Sequence, residues 1–67
     1  MEKQWNKVFE THRPYKIEIA REILEEYGIE CKEEKNVMEG KNDNIILLVH
    51  KEDVNIANNI LIKYTIA

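Results

Sequence analysis

Five segments of the chain differ in how their apolar and charged residues are spaced. The clearest is residues 45–49, five consecutive apolar residues that are β-branched at both ends. A run of this kind is typical of a strand that is buried on both faces. We therefore predict a strand over about residues 44–50.

The second segment has helical spacing. Pro14 suits the first position of a helix, where its missing N–H is not needed, and a helix is predicted over about residues 14–27. Gly28 is expected to end it in the left-handed conformation, with Ile29 packing back on the last turn. Ile17 lies at the margin of the apolar stripe. The positions predicted to be buried are Ile19, Ala20, Ile23, Leu24 and Tyr27.

Three further segments complete the pattern. Residues 5–11 contain good strand formers and predict a first strand. Residues 29–35 are charged on one face, as an edge strand should be, and 36–43 form a hairpin loop. Residues 52–64 predict a second helix. Its predicted buried residues are Ala57, Ile60, Leu61 and Tyr64, with Val54 and Ile56 partly covered.

These elements predict a single domain over residues 1–67 with the order β-α-β-β-α. A right-handed crossover makes the first two strands parallel and leaves room between them. The third strand is the most apolar and is expected to fill that gap, antiparallel to both. The expected fold is α+β, a ferredoxin-like half-fold with a three-stranded antiparallel sheet and both helices on one face.

The sheet face that the helices leave open is expected to be apolar, through either Ile46 and Leu48 or the alternating set Ile45, Leu47 and Val49. Burying such a side chain is worth about 1.5–3 kcal/mol. We therefore expect a homodimer through this open face or through the edge of the first strand. The expected interface residues are Trp5, Phe9, Ile46 and Leu48. The alternative is that residues 64–67 fold back as a short fourth strand.

The charge and composition of the chain limit the classes of partner that we expect it to bind. The net charge of -3 disfavours nucleic acid and anionic membranes. The longest apolar run is far short of the ~20 residues that span a bilayer. The first residues lack a signal-peptide core, so a cytoplasmic location is expected. Cys31 is the only cysteine, which excludes a disulfide within the chain.

Few residues offer catalytic chemistry, and we expect no enzyme, no metal and no other cofactor. The chain has no serine, and Cys31 is predicted to face inward among acidic residues that raise its pKa. His12 and His50 are expected at opposite ends of the sheet, too far apart to share an ion. His50 is expected to be a partly exposed residue at the end of a strand.

Two alternatives to a regulatory module are open. Arg13 and Asn44 are reminiscent of acylphosphatases, small ferredoxin-like hydrolases, although residues 11–14 lack the glycines of a phosphate-binding loop. Trp5 and Phe9 would be stacking platforms if the open face bound single-stranded nucleic acid.

An ordered set of short motifs resembles a small bacterial family of prokaryotic signal-transducing proteins, a domain whose function is not established. The motifs are Trp5 with Lys7-Val8-Phe9, Pro14-Tyr15, the helix end at residues 24–29, and residues 49–57. The family's fold is similar to that of the nitrogen-regulatory signal-transduction proteins, in which the loop between strands two and three contacts partners or effectors. Two features depart from the pattern: Arg13 replaces the usual capping Asn or Asp, and the 36–43 loop is short.

The resemblance implies a regulatory role through an effector or a protein partner. The expected ligand site is the end of the sheet where residues 11–14 meet the 36–43 loop, with His12, Arg13, Asn42 and Asp43. A group of glutamates forms either a solvated edge or a docking surface for a basic partner. These are Glu25, Glu26, Glu30, Glu33 and Glu34.

Overall fold

The computed structural model describes residues 4–36 and 44–64. In chain order the elements are β1 (Trp5–Thr11), α1 (Pro14–Glu26), β2 (Cys31–Asn36), β3 (Asn44–His50), a 3₁₀ turn (Lys51–Asp53) and α2 (Val54–Lys63). The predicted β-α-β-β-α order is confirmed. Neither helix within the described ranges is long and apolar enough to cross a membrane.

The sheet has the order β1-β3-β2, and β3 is antiparallel to both neighbours. This confirms the predicted central position of the third strand. A central strand has no free edge, so an apolar sequence is compatible with burial there. The two edge strands carry the charged residues instead.

Both helices pack on one face of the sheet, as predicted, and form a single core. Leu47 and Val49 point toward the helices and are fully buried. Because side chains alternate across a strand, Ile46, Leu48 and His50 point to the open face. The helices and the α1–β2 connection contribute the other core residues, which are Ile17, Ala20, Leu24, Ile29, Ala57, Ile60 and Leu61.

The end of α1 has the hydrogen bonds of a Schellman motif. The N–H of Ile29 donates to the carbonyl of Leu24 at 3.0 Å, and the N–H of Gly28 donates to that of Glu25 at 3.0 Å. Gly28 has φ 80, as predicted, and Ile29 is buried against the core. Because Ile29 belongs to this cap, β2 begins only at Cys31, two residues later than predicted.

The buried stripes of the helices differ from the prediction at five positions, one of which is Ile56, expected to be partly covered but 55% exposed. Ile17, expected at the margin, is fully buried, whereas Ile19 is 40% exposed. Tyr27 and Tyr64 were also expected in the core, but they are 48% and 43% exposed. The apolar spacing allows two overlapping stripes on each helix, and packing on the sheet selects one of them.

A β-bulge in β1 separates its aromatic residues. The register with β3 shifts between Lys7 and Phe9, so that Val8 is the extra residue. Beyond this bulge, Phe9 lies opposite Leu47 and packs against the core, while Trp5 lies opposite His50 on the open face. One additional residue in a strand reverses the face on which the following residues lie.

Candidate functional site

Side chains cross the open face in three rows. The first contains Trp5, His50 and Glu30, which are joined by a ring stack and a hydrogen bond. Strand register aligns the other two rows, Lys7–Leu48–Lys32 and Glu10–Ile46–Glu34. Leu48 and Ile46 are therefore each flanked by two long charged side chains of like sign.

The two apolar residues of these rows, Leu48 and Ile46, differ in exposure. Leu48 is only 8% exposed in the single chain. Lysine can lay its aliphatic stem along apolar surface while its ammonium group stays in water, and Lys7 and Lys32 flank Leu48 in the register. The second face of the sheet is thus largely closed by its own edge strands, and Ile46 remains only partly covered.

His50 is buried at 7% exposure, so its prediction as a partly exposed residue was wrong. Its Nε2 lies 2.6 Å from Oε1 of Glu30, and its Nδ1 is buried without a hydrogen-bond partner among the described residues. Burial follows from two contacts: Trp5 stacks on the ring, and the N–H of Lys51 donates to the carbonyl of Gln4 at 2.9 Å. This last bond continues the sheet beyond His50.

The predicted ligand site is described only in part. His12 and Arg13 are exposed in the turn before α1, while Asn42 and Asp43 lie outside the described residues. The backbone N–H of Arg13 donates to Oγ1 of Thr11 at 3.2 Å. Its guanidinium group donates to the hydroxyl of Tyr15 at 3.5 Å, and this hydrogen bond lowers the pKa of Tyr15.

The two histidines lie at opposite ends of β1, as predicted. His50 pairs with Trp5 at its start, and His12 follows Thr11 at its end. Six residues of strand separate them, which is about 20 Å. In the part of the chain that the structure describes, no three His, Cys, Asp or Glu side chains form a group that could hold a metal ion.

Cys31 lies at the start of β2, half-buried against the core. Burial raises the pKa of its thiol to about 11, and the charge of Glu25 acts in the same direction. Its Sγ lies 3.6 Å from the carbonyl of Ile29 and donates to it. Because the thiolate is the reactive form of cysteine, a thiol held protonated at neutral pH is a poor nucleophile.

The structure gives little support to the two alternative functions, a hydrolase that uses Asn44 and a nucleic-acid binder that uses Trp5 and Phe9. Asn44 donates from Nδ2 to Oε2 of Glu10 at 3.0 Å, so its amide group is bonded to a carboxylate, whose negative charge disfavours a phosphate beside it. Trp5 and Phe9 lie on opposite faces of the sheet. The open face therefore carries one of the two expected stacking platforms.

Four exposed apolar side chains on the two helices and their C-caps were not predicted from the sequence. They are Ile19, Tyr27, Ile56 and Tyr64, which are between 40% and 55% exposed. We call these four residues the Ile–Tyr surface. The hydroxyls of Tyr27 and Tyr64 are 3.2 Å apart and join the two helices. The opposite side of α1 faces β2, where Arg21 forms an ion pair with Glu33.

A repeated spacing in the sequence could have indicated this surface. Ile19, Ile23 and Tyr27 are four residues apart on α1, and α2 repeats the same residue types at the same spacing. Its members are Ile56, Ile60 and Tyr64. Residues four apart lie on one side of a helix. The central isoleucine of each stripe packs into or against the core, and the outer residues remain exposed.

Comparisons of the chain with protein-family models, with curated proteins and with solved structures find no match. The resemblance to the signal-transducing family stays a prediction that rests on the short motifs named above.

Proposed function

We propose that this chain is a small non-catalytic regulatory module that acts by binding a protein partner through the Ile–Tyr surface. The observation that carries the proposal is the pair of exposed stripes joined by Tyr27 and Tyr64. Tyrosine is enriched in protein interfaces because it has a large apolar ring and a polar tip. A signal-transducing role, which the family resemblance implies, is one use of such a module.

Covering the Ile–Tyr surface is energetically favourable. Full burial of an isoleucine side chain is worth about 1.5–3 kcal/mol, and Ile19 and Ile56 are about half exposed. A partner would therefore gain about 1 kcal/mol from each. Tyr27 and Tyr64 already share a hydrogen bond. Because burying an unsatisfied hydroxyl is costly, this bond lowers the cost of covering both rings.

A small effector bound at the turn before α1 is the second candidate function. His12 and Arg13 are exposed there, and Arg13 contacts the Tyr15 hydroxyl. The other two residues expected at this site, Asn42 and Asp43, lie outside the described residues.

The homodimer expected from the sequence also stays a prediction. The apolar area available on the open face is smaller than expected, because Leu48 is already covered within one chain. Native mass spectrometry tests the dimer directly. A dimer that Ile46→Lys dissociates without unfolding would support pairing of the open faces, and a monomer at micromolar concentration would contradict it.

Peptide display against the immobilised protein tests the proposed function. Selected peptides should bind with micromolar Kd and lose at least tenfold in affinity when Ile56 is changed to Glu. Ile62→Glu is the matched control, because Ile62 is also an exposed isoleucine of α2 but lies outside the Ile–Tyr surface. Peptides that bind both variants equally would overturn the proposed site.

A further inference from the structure

We infer that the partner presents a basic amphipathic helix to the Ile–Tyr surface. This inference rests on the proposed function and adds the chemistry of the partner. It follows from the charged residues that border the surface, from the state of the two sheet edges, and from the spacing of the exposed side chains.

An acidic stripe borders the surface on α1. Glu18, Glu22 and Glu26 are four residues apart and exposed, each one position before a member of the Ile–Tyr stripe on this helix. Among the described residues, none of the three glutamates has an ion-pair partner. These three carboxylates are therefore available to cations of a partner.

The acidic stripe adjoins the tyrosine pair, because Glu26 directly precedes Tyr27, whose hydroxyl contacts that of Tyr64. The hydrogen bond with Tyr27 is the main cause that raises the pKa of Tyr64, and the negative charge of Glu26 contributes least in the same direction. Glu26 is on α1 and Tyr64 follows α2. The carboxylate thus acts across the junction of the two helices at which Tyr27 and Tyr64 meet.

The border on α2 has a different charge. Asn55, Asn59 and Lys63 occupy the corresponding positions, one before each member of the stripe on this helix. The Ile–Tyr surface is therefore acidic along α1 and neutral to basic along α2. A helix with cations along one flank of its apolar face matches this arrangement and would be oriented by it.

A helix fits this protein better than an added strand. Strand addition requires a free sheet edge, and both edges are protected. Four consecutive residues of β2 are charged, Lys32, Glu33, Glu34 and Lys35, and β1 is interrupted by its bulge. Charges and bulges are common devices against edge pairing.

The dimensions also agree with a helical partner. Ile19 and Tyr27 are eight residues apart on α1, which is about 12 Å along the axis. A partner helix of three turns covers about 16 Å and repeats its apolar residues each turn. The same surface is less suited to a second copy or to anionic lipid, because both would bring negative charge toward the glutamates.

Two synthetic 18-residue helices test the inference. Both have the same leucine face, with lysines along one flank of that face in the first peptide and glutamates at the same positions in the second. Fluorescence anisotropy should give at least tenfold tighter binding of the lysine peptide at low salt. The difference should shrink at high salt, because exposed charges are screened.

Variants in which glutamates are replaced by uncharged glutamines show where the lysine peptide binds. The double change Glu22→Gln and Glu26→Gln should weaken binding about three- to tenfold, by the loss of two favourable charge contacts. The matched control is Glu34→Gln with Glu52→Gln, which removes the same net charge away from the Ile–Tyr surface. Ile56→Glu should abolish binding and Ile62→Glu should not.

Equal binding of the two peptides, or equal effects of the two charge variants, would overturn the basic helix as partner. Binding to phosphatidylserine vesicles, or a dimer that Ile56→Glu dissociates, would overturn it in favour of lipid or a second copy. If display-selected peptides still depend on Ile56, the proposed function survives this failure. If they do not, both proposals fail.

Discussion

Trp5 and His50 face each other across β1 and β3, with their ring centroids 4.2 Å apart and their planes 31° apart. The stack closes one end of the open sheet face, and the ammonium group of Lys32 lies 5.7 Å from the centre of the Trp5 ring. Glu30 completes the row through its hydrogen bond to His50. The tryptophan therefore covers its own domain and is less available to a nucleic-acid base or a second copy.

Trp5→Ala should lower the free energy of unfolding by about 2 kcal/mol. The aromatic pair is worth about 0.5–1.5 kcal/mol beyond the area it buries, and the side chain is half-buried. A core of this size supplies roughly 3–5 kcal/mol in all, so the variant should be close to unfolding at room temperature. Urea denaturation measures the change, with Trp5→Phe as the milder control. An alanine variant as stable as the parent would show that the stack contributes nothing.

His50 should carry its ring proton on Nε2 when the ring is neutral. A carboxylate can only accept a hydrogen bond, so the 2.6 Å contact with Glu30 requires Nε2 to donate. Long-range ¹⁵N–¹H correlation spectra distinguish the two tautomers. Glu30→Gln keeps an acceptor and should preserve the preference, whereas Glu30→Ala should give a mixture. An Nδ1–H tautomer in the parent protein would contradict this hydrogen-bond assignment.

Leu47→Ala should destabilise the protein about twice as much as Leu48→Ala. Leu47 lies in the helix-facing core, where truncation leaves a cavity and costs about 3 kcal/mol. Leu48 is covered by the flanking lysines of the open face, whose stems can follow a smaller side chain. Denaturant titration of both variants gives the two values. Equal losses of stability in the two variants would contradict this prediction, because they would mean that the open face adjusts to a smaller side chain no better than the core does.

Gly28→Ala should cost about 1–2 kcal/mol, the penalty of a left-handed backbone for a residue with a Cβ. Gly28 has φ +80, and a Cβ placed there would meet no heavy atom within 4 Å. The cost therefore comes from the backbone and not from a clash. Gly28→Asn should lower the free energy of unfolding by less, because asparagine tolerates this conformation better than alanine does. Thermal unfolding of the two variants tests the order, and a more stable alanine variant would contradict it.

Cys31 should react slowly with iodoacetamide at neutral pH. Its pKa is raised to about 11, chiefly by burial, so only about one thiol in a thousand is ionised at pH 8. The rate of alkylation, followed by mass spectrometry, should rise about tenfold for each pH unit up to that value. Denatured protein at the same pH is the control, and equal rates for folded and denatured protein would contradict the raised pKa.

The same shift predicts how stability depends on pH. Folding favours the neutral thiol, so its contribution is fully present below the unfolded pKa of about 8.5. It is lost as the pH rises through the folded pKa of about 11. The stability difference between the parent and Cys31→Ala should therefore decrease between these values. A difference that is constant from pH 8 to pH 11 would contradict the linkage.

Several parts of the fold could be predicted because they depend on neighbouring residues in the sequence. The five apolar residues of β3 favour a central strand, and Pro14 and Gly28 mark the two ends of α1. These signals come from backbone preferences and from short-range periodicity. Of the expected ligand site, the sequence placed His12 and Arg13 correctly in one exposed turn.

Other features could not be predicted, because they depend on contacts between distant segments. The spacing of Ile17 and Ile19 allows either to face the core, and only docking of α1 on the sheet buried Ile17. The bulge that moved Phe9 away from Trp5 is a matter of register with β3. His50 was expected to be exposed because Trp5, which covers it, is 45 residues earlier in the chain.

Local chemistry in this chain thus decided which segments are helices and strands, where α1 ends, and which strand is central. Tertiary contacts decided which stripe of each helix is buried, how the open face is closed, and that Tyr27 and Tyr64 meet at the surface. The reason is physical: backbone preference and periodicity act over a few residues. Side-chain burial instead depends on the register and docking of elements that are brought together only by folding.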